Sequence, residues 1–251
     1  MRFAATLLLA TALTAPSVAL ASADQLANDL SAMGIEIFAD DASHEGSRVL
    51  LEAPVLTGER IEIRAERLVY DPRDDTVTLQ NARFTELHNR SAAPGTATEM
   101  VVQGLDALRM VNELDVCDPR AVSDYQETRV ELHGLTVVPD DVTARQMGAE
   151  RFSGDRVTLK ARFAADGSCM TFDELGMQGV TTLSAERDMA TMEAITLRAA
   201  YDGERTAALD FEMRQLSAFT AAGDRVASVG RAALTFSAEG PLPQSMPLDL
   251  N

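Results

Sequence analysis

From Arg48 onward the apolar residues recur at every second position. Val157, Leu159, Ala161 and Phe163 alternate with Thr158, Lys160 and Arg162. Ala207, Leu209, Phe211 and Met213 alternate with Ala208, Asp210 and Glu212. Ile61, Ile63 and Ala65 alternate with Glu62 and Arg64, and Leu234, Phe236 and Ala238 with Thr235 and Ser237. Successive side chains of a strand point to opposite faces, so a period of two buries one face and wets the other. Antiparallel sheets carry such a pattern; parallel βαβ folds would need helix-length periodicity between the strands, and little is present. Turn-forming clusters divide the runs: Asp71-Pro72-Arg73-Asp74-Asp75, Pro139-Asp140-Asp141, Asp166-Gly167, Asp202-Gly203 and Ala222-Gly223-Asp224. The expected fold class is mainly β, an antiparallel meander forming an open roll or a sandwich.

Two segments depart from this pattern. Asp24 to Met33 sets Leu26, Leu30 and Met33 on one helical face with Gly34 placed to end it, which predicts a short N-terminal helix. Ser91 to Gln126 is the least strand-like stretch. Ala93-Pro94-Gly95 reads as a loop, Leu105, Leu108, Val111 and Leu114 fit a helical stripe, and Asp118-Pro119 starts a further turn. An irregular or partly helical excursion is expected there.

Short elements recur along the chain. Gly-acid-Arg stands at 58–60, 154–156, 203–205 and 223–225, and an apolar-polar-Gly-apolar element at 102–105, 132–135 and 177–180. A hairpin unit reused with variable loops accounts for this; chance likeness among amphipathic strands is the alternative.

The chain opens Met1-Arg2-Phe3, runs apolar from Ala4 to Ala15 and leaves through Val18-Ala19-Leu20-Ala21. A basic start, a short apolar core and a small-residue exit predict a cleaved signal peptide over residues 1–21, with cleavage after Ala21 or Ala23. The run is shorter than the ~20 residues a bilayer span needs, and no later segment is apolar enough, so no transmembrane segment is expected in the mature chain. The expected organisation is a single β-rich domain over 22–239 with its excursion at 91–126, then an extended C-terminal tail over 240–251. Such a domain can bury roughly 70 % of its unfolded surface. The export signal leads to the expectation of a Gram-negative periplasm, and a basic complement that is arginine apart from Lys160 fits a GC-rich bacterial genome.

The net charge of −17 disfavours nucleic acid and anionic head groups as partners. It leaves open an apolar groove for acyl chains, where burial is the driving force. Cys117 and Cys169 are the only cysteines, and in an oxidising compartment the expectation is a disulfide between them. Two buried, inert thiols are the alternative.

Signals for catalysis are sparse. His44, His88 and His133 are scattered and fit no metal-ligand spacing. There is no G-x-S-x-G elbow, no phosphate loop and no dinucleotide fingerprint. Carboxylates are plentiful, but the chain has no tryptophan and only three tyrosines, which weakens a carbohydrate hydrolase. The acidic turns lack calcium-loop spacing. Methionines gather in the second half, as gap-fillers of a core or as lining of an adaptable surface. No catalytic residue, cofactor or metal site is expected.

Ala65-Glu66-Arg67-Leu68-Val69-Tyr70-Asp71-Pro72, continuing through Asp75-Thr76-Val77-Thr78-Leu79-Gln80-Asn81-Ala82, resembles the strand–turn–strand unit of OstA/LptA-like periplasmic proteins. The resemblance implies an open β-jellyroll whose interior carries the acyl chains of lipopolysaccharide. The unit's usual glycine-asparagine close is here Gln80-Asn81-Ala82. The second half is also faintly similar to AsmA-type envelope proteins.

The leading functional expectation is a structural or protein-interaction module of the cell envelope, engaging a partner through an unpaired sheet edge. The alternative is binding of a lipid or lipopolysaccharide-type amphiphile in an apolar groove lined by Ile61, Ile63, Leu79, Val157, Leu159, Phe163, Leu209, Phe211, Met213, Leu234 and Phe236. A carboxylate-based hydrolase is a minor third.

Overall fold

The computed structural model describes residues 23–87, 94–112, 115–116, 125–139, 144, 149–165, 169–184, 188–202 and 206–239. The signal segment, His88, Leu114, Cys117, Asp118-Pro119, Asp140-Asp141, Asp166-Gly167, Gly203-Glu204-Arg205 and the tail from Gly240 lie outside the described residues.

The chain is mainly β and its sheet is open. Helix α1 (Ala23–Ala32) is followed by β1 (Glu36–Phe38), β2 (Asp41–Glu45), β3 (Arg48–Glu52), β4 (Val55–Thr57), β5 (Ile61–Arg64), β6 (Arg67–Asp71), β7 (Thr76–Glu86) and β8 (Gly95–Gln103). A 3-10 helix (Leu105–Val111) and β9 (Asp115–Val116) lead into the long strands β10 (Tyr125–Val137), β11 (Arg151–Ala164), β12 (Cys169–Leu183), β13 (Met189–Asp202), β14 (Thr206–Phe219) and β15 (Arg225–Glu239). All fifteen strands join one sheet, antiparallel except where β9 lies parallel to the start of β12. The excursion is therefore narrower than the sequence suggests. Gly95–Gln103 is a regular strand between β7 and β10, and among the described residues of this stretch the 3-10 helix and β9 leave the meander.

The sheet forks at β7. Its first half pairs with β6, which leads to β3 and β2; its second half pairs with β5, which leads to β4 and β1. The fork is the start of a line crossing the whole sheet. Ladder pairing is interrupted between β7 and β8 at Asn81 and Thr98, between β8 and β10 at Gly134, and between β10 and β11 at Gly134 and Asp155. It is interrupted again at Asp155 and Gly179, at Gly179 and Glu193, at Glu193 and Gln215, and at Gln215 and Gly230. Every second strand on this line carries a left-handed residue: Asn81 at φ 51°, Gly134 at 59°, Gly179 at 60° and Gln215 at 54°. Towards the N-terminus the line continues through Ala53, φ 50°, between β3 and β4.

A left-handed residue in a strand bends it and shifts the alternation of its side chains. The inward residues accordingly step by three at the line instead of two: Leu79 and Ala82, Ala97 and Met100, Gly154 and Val157, Met177 and Val180. The line is a crease, and the sheet is folded along it into two leaves.

Two glycines show why the crease needs its residue types. A side chain at Gly179 would begin 2.0 Å from the Asp155 carboxylate, and one at Gly134 would begin 2.8 Å from the Thr98 hydroxyl. Both elements noted as recurring, 132–135 and 177–180, place their glycine on the crease. The third, 102–105, places Gly104 just past β8, also left-handed at φ 84°. Of the Gly-acid-Arg elements, those at 58–60 and 223–225 precede strands, whereas 154–156 lies inside β11 with its Asp155 on the crease.

The leaves close on a shared core at the N-terminal end. Leu56, Ile63 and Ala82 from one leaf meet Val49, Leu51, Leu68, Val77 and Leu79 from the other, all 5 % exposed or less. Leu26 and Leu30 of α1, Met33 just after it, and Leu108 and Val111 of the 3-10 helix complete this core. Gly34, at φ 77°, ends the helical segment as its sequence suggested. Asn112 ties the parts together, donating to the Met33 carbonyl at 2.9 Å and accepting from the Glu59 amide at 2.9 Å.

Candidate functional site at the open end of the sheet

The inner surface is built from the alternating apolar residues, and cross-strand register decides which of them meet. Leu159, Leu175, Leu197, Phe211 and Leu234 form one row across β11 to β15. Val157, Met177, Ile195, Met213 and Ala232 form the row beside the crease. On the other leaf Val180, Met192, Leu216 and Val229 line up along the opposite side of the crease.

Cover over these rows decreases along the sheet. Helix α1 packs on β1 and β3, and the 3-10 helix on β8 and β10. Phe163 and Ala161 are still in the closed core. At β15, Leu234 is 55 % and Phe236 59 % exposed, and Val229 is 40 %. The inner surface thus runs from a filled core at β7 to an open mouth at β15.

The eleven residues expected to line a groove do not form one continuous groove. Ile63, Leu79 and Phe163 fill the closed core; Val157 is buried, and Ile61 and Leu159 pack against that core. Leu209, Phe211 and Met213 are half-buried, and Leu234 and Phe236 stand at the mouth. Val229, Leu175, Ile195 and Leu197 belong to the open surface as well and were missed. A signal was in the sequence: β12, β14 and β15 each contain apolar residues three apart flanking a polar or glycine pair, as in Met177-Gln-Gly-Val180 and Met213-Arg-Gln-Leu216. That step marks the crease and assigns both leaves to one interior.

Strand β15 is also an edge. It is fifteen residues long and, among the described residues, pairs only with β14. Edge strands are commonly blunted with proline or lysine, and β15 contains neither.

The outward face is charged and laddered. Glu174 accepts from Arg198 at 2.8 Å and lies 3.2 Å from Lys160; Glu131 lies between Arg156, at 2.5 Å, and Arg129. The Arg198 hydrogen bond holds the Glu174 carboxyl below the usual carboxylate range, with Lys160 adding to the effect. At the far end Arg48 does the same to Asp71, helped by the Arg73 amide. These shifts keep the groups ionised, the opposite of what a general acid requires. His133 lies 3.6 Å from Glu131 and 4.0 Å from Glu99, and His44 is exposed on β2. Among the described residues no group of three histidines, cysteines or acids is placed to hold a metal ion, and no helix is long and apolar enough to cross a membrane.

No protein-family model matches the chain, and no curated protein matches it either.

Proposed function

We propose that this protein is a non-catalytic module of the bacterial periplasm that joins an envelope protein by strand addition at β15. One observation carries the reading: a fifteen-residue edge strand at which the inward apolar side chains are exposed. A partner strand laid along β15 would satisfy its outer main-chain groups and cover Val229, Leu234 and Phe236, so backbone pairing supplies affinity and the apolar positions supply specificity. The likeness of residues 65–82 to the OstA/LptA-like unit supports the same compartment and architecture, and the crease at Asn81 falls at the close of that unit.

A Cys117–Cys169 disulfide belongs to this reading. β9 ends one residue before Cys117 and pairs with Cys169 and Met170, so the register brings the two sequence neighbourhoods together.

The test is co-purification from a bacterial periplasm with Leu234→Asp/Phe236→Asp beside the wild type. Both sites are more than half exposed, so folding is expected to survive. Loss of a defined envelope partner supports the reading, and an unchanged partner set contradicts it.

A second reading rests on the uncovered row from Leu175 to Leu234: a lipid-type amphiphile held between the leaves. Native mass spectrometry on detergent-free protein tests it. A lipid-sized adduct lost in Phe211→Asp supports the amphiphile, and a bare protein mass removes it.

A further inference from the structure

We propose that the outward face of β11 to β14 binds a phosphate-bearing ligand in a notch over Gly176, a site separate from both the β15 edge and the apolar interior. Gly176 is centred on this face, opposite Thr158 on one side and Thr196 on the other. It has no side chain, and a Cβ built there meets nothing within 4 Å, so the middle of the charged face is empty. The depression over it is about 280 Å³ and is bordered by Arg129, Arg156, Lys160, Arg198 and Arg214, with Glu174 the one acid on its border.

Neutralisation of these cations is incomplete. Lys160 and Arg198 share the single carboxylate of Glu174, and Arg129 and Arg156 share that of Glu131. Arg214 makes no ion pair among the described residues. The next acid along, Glu212, pairs with Arg231, and Asp210 accepts from the Thr235 hydroxyl at 2.7 Å. In a chain of net charge −17 this leaves a local excess of positive charge around a vacant floor flanked by two hydroxyl side chains. Arginine forks and hydroxyl donors bordering one depression suit the tetrahedral oxygens of phosphate, whether free or in a lipid head group.

The decisive variant is Gly176→Glu. The position is not left-handed and has room for a side chain, so the fold is retained while a carboxylate fills the notch. Binding of inorganic phosphate is read by calorimetry and by the melting temperature, against chloride at matched ionic strength. The expected result is a phosphate-specific rise in melting temperature for the wild type, lost in Gly176→Glu, weakened in Arg214→Gln and kept in Arg73→Gln, which lies on a distant turn. Equal effects of phosphate and chloride, or an undiminished phosphate effect in Gly176→Glu, would overturn the proposal. Vesicle sedimentation then separates the sources. Retention on phosphatidylglycerol but not phosphatidylcholine vesicles, abolished by Gly176→Glu, assigns a head group; phosphate binding without vesicle retention assigns a free phosphate compound.

Discussion

Leu79 and Leu234 face the same interior and differ in what lies over them. Leu79 is fully buried in the shared core, whereas Leu234 is 55 % exposed at the mouth. Leu79→Ala should therefore cost about 2–5 kcal/mol through lost burial and a residual cavity, while Leu234→Ala should stay within about 0.5 kcal/mol. Urea denaturation of the two variants checks both values. Charge at single residues sets the pH response. Asp71 and Glu174 have carboxyl groups lowered below their ordinary values in the fold, so each contributes stability that is fully present above the unfolded pKa of about 4 and is lost as pH falls through the folded value. Melting temperature should be flat on their account from neutral pH to about 5 and decline below about 4, with a shallower acid decline in Glu174→Gln. At this scale the sequence was legible as orientation: alternation put Ile63, Leu79, Val157 and Phe163 on the buried side of their strands. It was silent on depth, because period two is the same for a strand under a helix and for a strand at an open end.

The strands are shaped by their interruptions. Gly179 sits left-handed against the Asp155 carboxylate, so Gly179→Ala should destabilise the fold by about 1–2 kcal/mol or more, through the backbone penalty and the displaced side chain. Gln215 occupies the equivalent place on β14 with a side chain, so Gln215→Gly should be neutral or stabilising by up to about 1 kcal/mol. Opposite signs at two equivalent positions would establish the crease; a loss at both would argue that Gln215 contributes contacts instead. The short β9 makes a separate test. If Cys117 and Cys169 are bridged, the native protein shows no alkylatable thiol, and reduction costs about 4 kcal/mol in the chain-entropy model for a loop of this length. Strand existence and the N-terminal helix were readable from periodicity. The crease was not, although its three-residue steps and glycines were present, because a register break in one strand acquires meaning only when its neighbours break on the same line.

Across the whole molecule, cover is unequal. Helices and converging leaves fill the interior from β1 to β11, and nothing among the described elements packs over the inner face of β15. An exposed apolar surface beside a strand edge is the feature on which the proposed association rests. The sequence led to the expectation of docking at a sheet edge without saying which one, since edges are set by pairing order and not by composition. The most direct measurement is photo-crosslinking in living bacteria from a reactive side chain placed at Val229, beside a control at Ser43 on the opposite edge strand β2. The account expects a discrete higher-mass adduct from Val229, absent from Ser43 and suppressed by Phe236→Asp. Adducts of equal yield from both positions, or none from Val229 in well-folded protein, would contradict it.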